Sequence, residues 1–335
     1  MNDADAIVTR RLTKHFDGKR VVDSLDLNIK AGSVYGFLGR NGAGKSTTIK
    51  MLTGMLRPDA GEAYLLGEPV ATLRPETRRR ICYLAEAHPL YGWMTVGEAV
   101  RFTRAFYPAT DGHPGWNGRL CEQILDHFEL PRRRKIRRLS RGQMAQVSLA
   151  LGVAPEPELL ILDDPTLGLD TVVRRDFLES LIQIIHRAGR TILFSSHMLG
   201  DVERVADRIG LMADGVLRVD CPTEVFRESV KRVLVDFAGV PAEDPDVPRL
   251  VSWRHVGPTL ELVLVGYDDA QRAAVEALGP RSVEVVDLNL EEAFIAYTRP
   301  ARSLPAFDFR PVKKSIPHPE PAPTDGPSFT DQGAA

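Results

Sequence analysis

The chain has 335 residues, 43% hydrophobic and 26% charged, a composition that gives a real core and room for two domains. Its net charge of −2 supplies no global basic field, so bulk charge does not point to non-specific nucleic-acid binding. Cys82, Cys121 and Cys221 stand far apart with no C-x-x-C pair, so neither a disulfide framework nor a zinc site follows, and a reducing cytosol is the natural setting.

The opening MNDADAIVTR carries acids and no apolar run, so no secretory signal is expected there. No apolar stretch approaches the roughly 20 residues that a membrane helix needs, so work at a membrane would require another chain to supply the span. The first buried-type strand is Ser33–Gly39, SVYGFLG, and a helical pattern follows over Lys45–Leu56. Between them GRNGAGKST (Gly39–Thr47) fits G-x-x-x-x-G-K-[ST]. Glycines let successive backbone N–H groups turn inward on phosphates, and the helix start adds its partial positive charge. Lys45 is expected to reach the β- and γ-phosphates of ATP and Ser46 to ligate Mg²⁺. Gly39, Asn41, Gly42, Gly44 and Thr47 complete the cradle. A glycine-rich turn without a ligand is the plain alternative, and the lysine, serine, strand and helix together argue against it.

A second buried-type strand, Glu158–Asp164, ends in Asp163 and Asp164, where α/β sheets place ligands. One carboxylate can enter the Mg²⁺ shell while the next approaches an attacking water. A helical pattern follows at Val173–Ala188, then the strands Thr191–His197 and Arg208–Gly215. Their near-continuous apolar runs suit a parallel sheet covered on both faces. His197 ends its strand at the same crevice and is expected to contact phosphate. Residues 1–226 thus form an α/β unit. Residues 227–299 read strand, strand, helix, strand, helix, a small α+β domain. From Pro300 on, the chain holds eight of its 24 prolines and little apolar periodicity, and 300–335 is expected to be a disordered tail.

The ordered elements of residues 8–226 resemble the nucleotide-binding subunit of ABC transporters. They are the loop at Gly39–Thr47, LSRGQ at Leu139–Gln143, the strand Leu159–Asp163, PTLGLD at Pro165–Asp170 and SSH at Ser195–His197. The resemblance implies a P-loop ABC cassette, with a mixed, mainly parallel core sheet, a β-subdomain and a helical subdomain. It further implies two subunits closing head to tail around two ATPs. Ser140, Gly142 and Gln143 would then serve the partner's ATP, Asp170 would link the two sites, and Phe16 would stack on adenine rather than be an ordinary core phenylalanine. The partners implied are a transmembrane permease and a second nucleotide-binding subunit, identical or different, with no nucleic acid expected. Localisation would be cytoplasmic, peripheral on the inner face of the cell membrane. Ser195–Gly215 and LNLEEAFIAYT at Leu288–Thr298 resemble the drug- and antibiotic-export branch.

Several positions depart from the family pattern. Asp164 stands where the family has glutamate, which withdraws the carboxylate by about 1.5 Å, one C–C bond. Misplacement of about 1 Å can cost on the order of 100-fold, or about 2.7 kcal/mol, so slow hydrolysis is expected. Glu86 replaces the glutamine that normally touches Mg²⁺ and the attacking water. Its carboxylate can fill both roles but repels the γ-phosphate unless Mg²⁺ screens it. Arg141 replaces the signature's second glycine, either adding charge near the partner's phosphate or remaining a solvated helix-start residue. The run RRRKIRR (Arg132–Arg138) is either a solvated face or a nucleic-acid or lipid contact. The readings to separate are an export ATPase, a slowly hydrolysing nucleotide-gated switch, and a cassette protein outside transport.

Overall fold

In the computed structural model, which describes residues 5–298 except 111–112, 114, 187–188 and 239–244, the chain opens on two long strands. These are β1 (Asp5–Phe16) and β2 (Lys19–Lys30), paired antiparallel. β2 turns Leu25, Leu27 and Ile29 inward and Asp26, Asn28 and Lys30 outward, the period of two that a half-buried strand requires. Next come β3 (Val34–Leu38), α1 (Lys45–Leu52), β4 (Ala60–Leu65), β5 (Glu68–Pro69), α2 (Pro75–Arg79) and β6 (Ile81–Leu84). α1 stops before the expected Leu56, because Gly54 adopts φ +74° and ends the helix. β4 and β5 complete a first sheet in the order β2-β1-β4-β5.

Three helices follow β6: α3 (Val96–Arg104), α4 (Gly118–His127) and α5 (Arg141–Val153). Thr95 and Glu98 close a reciprocal capping box at the start of α3. The chain then runs through β7 (Leu159–Asp163), α6 (Thr171–His186), β8 (Thr191–Ser196), α7 (Leu199–Val205), β9 (Arg208–Ala213), β10 (Val216–Pro222) and α8 (Thr223–Ser229). The central sheet has the order β10-β9-β3-β8-β7-β6, parallel throughout except for the β9–β10 pair. This is the mixed, mainly parallel sheet expected of the cassette.

Alternation within β7 explains its unbroken apolar run. Leu159 and Ile161 join a core with Ile7, Leu25 and Ile49, on the side of the first sheet and α1. Leu160 and Leu162 join the opposite core with Leu125, Leu149 and Phe177, from α4, α5 and α6. Both faces are buried, so neither can be polar. Truncating any of these leucines to alanine costs about 2–5 kcal/mol.

The remaining chain forms β11 (Val230–Asp236), β12 (Leu250–Val256), β13 (Thr259–Val265), α9 (Asp269–Ala277), β14 (Ser282–Asp287) and α10 (Leu290–Thr298). Its sheet has the order β12-β13-β11-β14, antiparallel throughout. β12 was not expected from sequence, since no residue of it is fully buried and LVSWRHV lacks a clear apolar face. Val233, Val235, Leu262 and Val275 build a local core, whereas Leu290, Ala293 and Phe294 of α10 belong to the same core as α7 and β9. Position 227, expected to begin a separate domain, lies inside α8, whose Phe226 is buried in that main core. The segment 300–335 lies outside the described residues. Among the described residues no helix is long and apolar enough to cross a membrane.

Candidate nucleotide site

β3 is buried at all five positions and delivers the chain to the loop that precedes α1. At Gly39 a Cβ would come within 2.5 Å of the Met212 carbonyl oxygen, so only glycine fits so close to β9. Gly44 has φ +107°, and a Cβ there would meet the Val21 carbonyl oxygen at 2.6 Å. α1 begins at Gly44 with no side-chain cap and no acid in its first turn, leaving the positive end of its dipole uncompensated. Lys45 folds back, donating to the carbonyls of Gly39 (2.7 Å) and Arg40 (3.3 Å). Burial holds the Lys45 ammonium below the usual lysine range, and the charges of Asp164, Asp163 and Glu86 oppose that shift.

Asn41, Gly42, Gly44, Lys45, Ser46, Thr47, Glu86 and Asp164 line one cleft of about 280 Å³, together with Val21 and Leu167. Ser46 Oγ donates to Asp163 Oδ1 at 3.0 Å. Hydroxyl and carboxylate are hard oxygen donors, and together they fit part of a Mg²⁺ shell. Among the described residues no group of three or more His, Cys, Asp or Glu gathers into a cage, so the remaining ligands of such an ion would come from nucleotide and water.

Asp164 sits at the turn after β7 with φ +45°. Its N–H donates to Ser195 Oγ (2.9 Å), and its Oδ2 lies 2.6 Å from His197 Nδ1. Oδ1 is buried with no partner. Burial pushes this carboxyl above the ordinary aspartate range, while His197, hydrogen-bonded to it, and Lys45 pull the other way. His197 itself lines the adjoining cavity beside Thr171, Arg174 and Met198, and reaches the nucleotide cleft through Asp164.

The residues expected to serve a second subunit form a separate cluster, and none of them lines the cleft. Ser140 Oγ accepts from Gln143 N–H and Gln143 Oε1 accepts from Ser140 N–H, both at 3.1 Å. Gly142 packs so tightly on α6 that a Cβ would lie 2.6 Å from Val173 Cγ1. Asp170 caps α6 by accepting from the N–H groups of Val172 and Val173 at 3.1 and 3.0 Å. Arg141 rests against Gly168, where a Cβ would lie 3.0 Å from its Nη1. Phe16 is 46% exposed at the end of β1, with Lys14 Nζ 5.6 Å from its ring centre.

Three supporting residues were missed from sequence. Ser195 donates to Asp163 (3.0 Å) and accepts from Asp164 N–H. The signal lay in strand pairing, because β7 and β8 set Asp163 opposite Ser195. Asp201 accepts from Thr166 (2.8 Å) and so ties the turn after Asp164 to α7. His88 is buried with Nε2 3.2 Å from the Pro165 carbonyl oxygen, and burial lowers its basicity. Nothing in the sequence marked these last two.

The model of the ABC transporter family matches residues 22–167. The chain is 30% identical to the ABC transporter ATP-binding protein YtrB of Bacillus subtilis, over 87% of this chain and 97% of that one. This chain belongs to the ABC transporter ATP-binding family. The chain is also 31% identical to the daunorubicin/doxorubicin resistance ATP-binding protein DrrA of Streptomyces peucetius, over 88% of this chain and 92% of the relative. Identity is again 31% to the bacitracin transport ATP-binding protein BcrA of Bacillus licheniformis, over 68% and 73%. Among solved structures, an ATP-binding subunit of an ABC transporter superposes with TM-score 0.59 at 27% identity, covering 66% of this chain and 92% of that one.

Proposed function

We propose that this cassette binds MgATP in the cleft between the Gly39–Thr47 loop and the end of β7, and hydrolyses it to drive export through a separate permease. The observation that carries this is the gathering of Lys45, Ser46 and Asp164 at one opening, with Asp163 hydrogen-bonded to Ser46 behind it and an uncapped helix start beside them. Family members are generally ATPases that use ATP with Mg²⁺. Lys45, already turned over the loop, serves the β- and γ-phosphates, and the N–H groups from Asn41 to Thr47 line the phosphate path. Ser46 and Asp163 hold Mg²⁺, whose charge neutralises the phosphates when bound. Asp164 orients the attacking water and takes its proton at Oδ1, the oxygen without a partner. His197 fixes the other oxygen through Nδ1, which leaves Nε2 for a phosphate contact. Glu86 supplies a further carboxylate at the cleft, for the metal or the water.

Phe16 is exposed as a stacking residue for adenine must be. Ser140 accepts from Gln143 and keeps its O–H free to donate, so with Gly142 N–H it can serve a phosphate presented by a second subunit. Asp170 lies beside that surface. We read the chain through α8 as the cassette and β11 to α10 as its accessory domain, with the assembly peripheral on the inner face of the cell membrane. The short Asp164 makes hydrolysis slow. A switch that binds ATP and dimerises without pumping is the second reading, favoured by that same residue.

Titration of MgATP into the chain, with sedimentation of the product, tests the proposal. Expected are Mg²⁺-dependent binding that Lys45→Ala abolishes and a dimer that forms only with nucleotide. Binding unaffected by Lys45→Ala would refute the site.

A further inference from the structure

The hairpin that carries Phe16 is anchored by a group with no part in the phosphate chemistry. Asp17 and Gly18 both take positive φ, +48° and +76°, and form the two-residue turn that joins β1 to β2, with Phe16 paired to Lys19. Just behind the turn the register jumps from His15↔Arg20 to Lys14↔Val22, so β2 bulges at Val21, and Val21 lines the nucleotide cleft. The end of β1, from Lys14 to Phe16, is thereby brought alongside that cleft.

Lys14 Nζ donates to Asp59 Oδ1 (2.8 Å) and to the Arg57 carbonyl (2.9 Å), and lies 5.6 Å from the centre of the Phe16 ring. Asp59 Oδ2 accepts from His15 N–H (2.7 Å), and Asp59 N–H donates to the Thr13 carbonyl (2.9 Å). Arg57 and Asp59 belong to the loop that leaves α1 for β4. These bonds therefore tie the end of β1 to the far end of the helix whose start faces the phosphates. Lys14, hydrogen-bonded to Asp59, and then the His15 N–H hold that carboxyl down at about 2, so it stays charged throughout the working pH range. The Lys14 side chain is only 14% exposed, and its ammonium covers one face of the ring. Phe16 is nevertheless 46% exposed, which leaves the opposite face for a planar ligand. An exposed phenylalanine at a hairpin end is otherwise free to change rotamer, and a base stacking on it would have to stop that motion. A cation held under one ring face removes the freedom before the ligand arrives.

We propose that Lys14, clamped by Asp59 and the Arg57 carbonyl, is a positioning residue that presets the Phe16 ring for the nucleotide base, which stacks on the face opposite the ammonium. This rests on adenine stacking at Phe16. The contribution concerns the base alone, because Lys14 does not line the cleft that takes the phosphates. Stacking needs only a π-face, so the clamp favours nucleotides over bare polyphosphate without choosing among bases.

Calorimetric titration of the full chain with MgATP, and with magnesium tripolyphosphate as a ligand without a base, separates this role from a plain staple in the fold. Phe16→Ala should weaken MgATP binding at least about fivefold, the low end for one base–ring stack. Lys14→Met, which keeps the alkyl stem, should weaken it about threefold, the factor for ordering one side chain on binding, and MgGTP should fall by the same factor. Lys14→Met added to Phe16→Ala should cost nothing further, because the ring through which Lys14 acts is gone. Tripolyphosphate should bind every variant as it binds the parent, which also reports that the cleft is intact. A staple that only held the hairpin would lower the melting temperature and leave MgATP affinity unchanged. Lys14→Met binding MgATP like the parent, losing both ligands equally, losing one base only, or losing affinity again in the Phe16→Ala background would overturn the clamp while adenine stacking stands. Parent-like MgATP affinity in Phe16→Ala would overturn both.

Discussion

The start of α1 has no side-chain cap and no acid in its first turn, whereas at the start of α5 Ser140 and Gln143 satisfy each other reciprocally. Beside α1, Asp164 Oδ1 is buried without a partner and Lys45 is held in a poorly hydrated position. Beside α5, Asp170 closes its own cap on α6 and Gly142 is packed hard on Val173. The first region is left unsatisfied in a way that charged phosphates and a cation would relieve. The second is complete by itself and can only add contacts, through the free O–H of Ser140. That contrast is what the proposed mechanism requires: one chain's loop binds the nucleotide, and a second chain's helix start closes on it.

The contrast can be broken or sharpened by substitution, and the largest effect is expected at Lys45. Lys45→Ala should lower ATP turnover by about a thousandfold, the scale for removing a charged group aimed at developing phosphate charge. A loss under tenfold would place the phosphates elsewhere. Asp164→Asn should cut the remaining turnover by about a hundredfold while leaving MgATP binding in place.

Asp164→Asn should also raise the melting temperature. Its carboxyl is pushed above its ordinary range by burial, so the folded chain holds that proton more tightly than the unfolded one. The resulting stabilisation is complete below the unfolded value and is lost as pH rises through the raised one. At neutral pH the ionised group is therefore a burden that Asn removes. For the same reason turnover should rise with pH through the raised value, since the base must be ionised, and a pH–rate profile flat across that range would remove Asp164 from this role.

Ser140→Ala should cost about 1 kcal/mol of stability from the lost cap, read by denaturant unfolding, and should weaken nucleotide-dependent dimerisation without changing MgATP binding by the monomer. Weaker binding by the monomer would contradict the separation of the two regions. The smallest effect is expected at the exposed Glu86, where Glu86→Gln should change turnover or affinity by no more than about fivefold, the ratio for about 1 kcal/mol.

The cleft was legible in the sequence because its key groups are contiguous: Lys45 and Ser46 follow one strand, and Asp163 and Asp164 end another. The parallel sheet was legible because strands buried on both faces must be apolar at every position. Ser195 escaped because its role depends on which strand lies beside β7, and His88 and Asp201 because their partners, Pro165 and Thr166, belong to a turn that only tertiary packing positions. β12 escaped because none of its residues is fully buried, so no alternation of apolar and polar positions marks it. The clamp under Phe16 escaped because Lys14 meets Asp59 only once β1 pairs with β4.

The central claim is that Asp164 acts on the water attacking a phosphate held by Lys45, from one methylene too far away. Steady-state turnover of the purified chain and of Asp164→Glu, measured side by side with saturating MgATP, tests it most directly. The longer carboxylate should raise turnover on the order of 100-fold. An unchanged or lower rate in the variant would contradict the account.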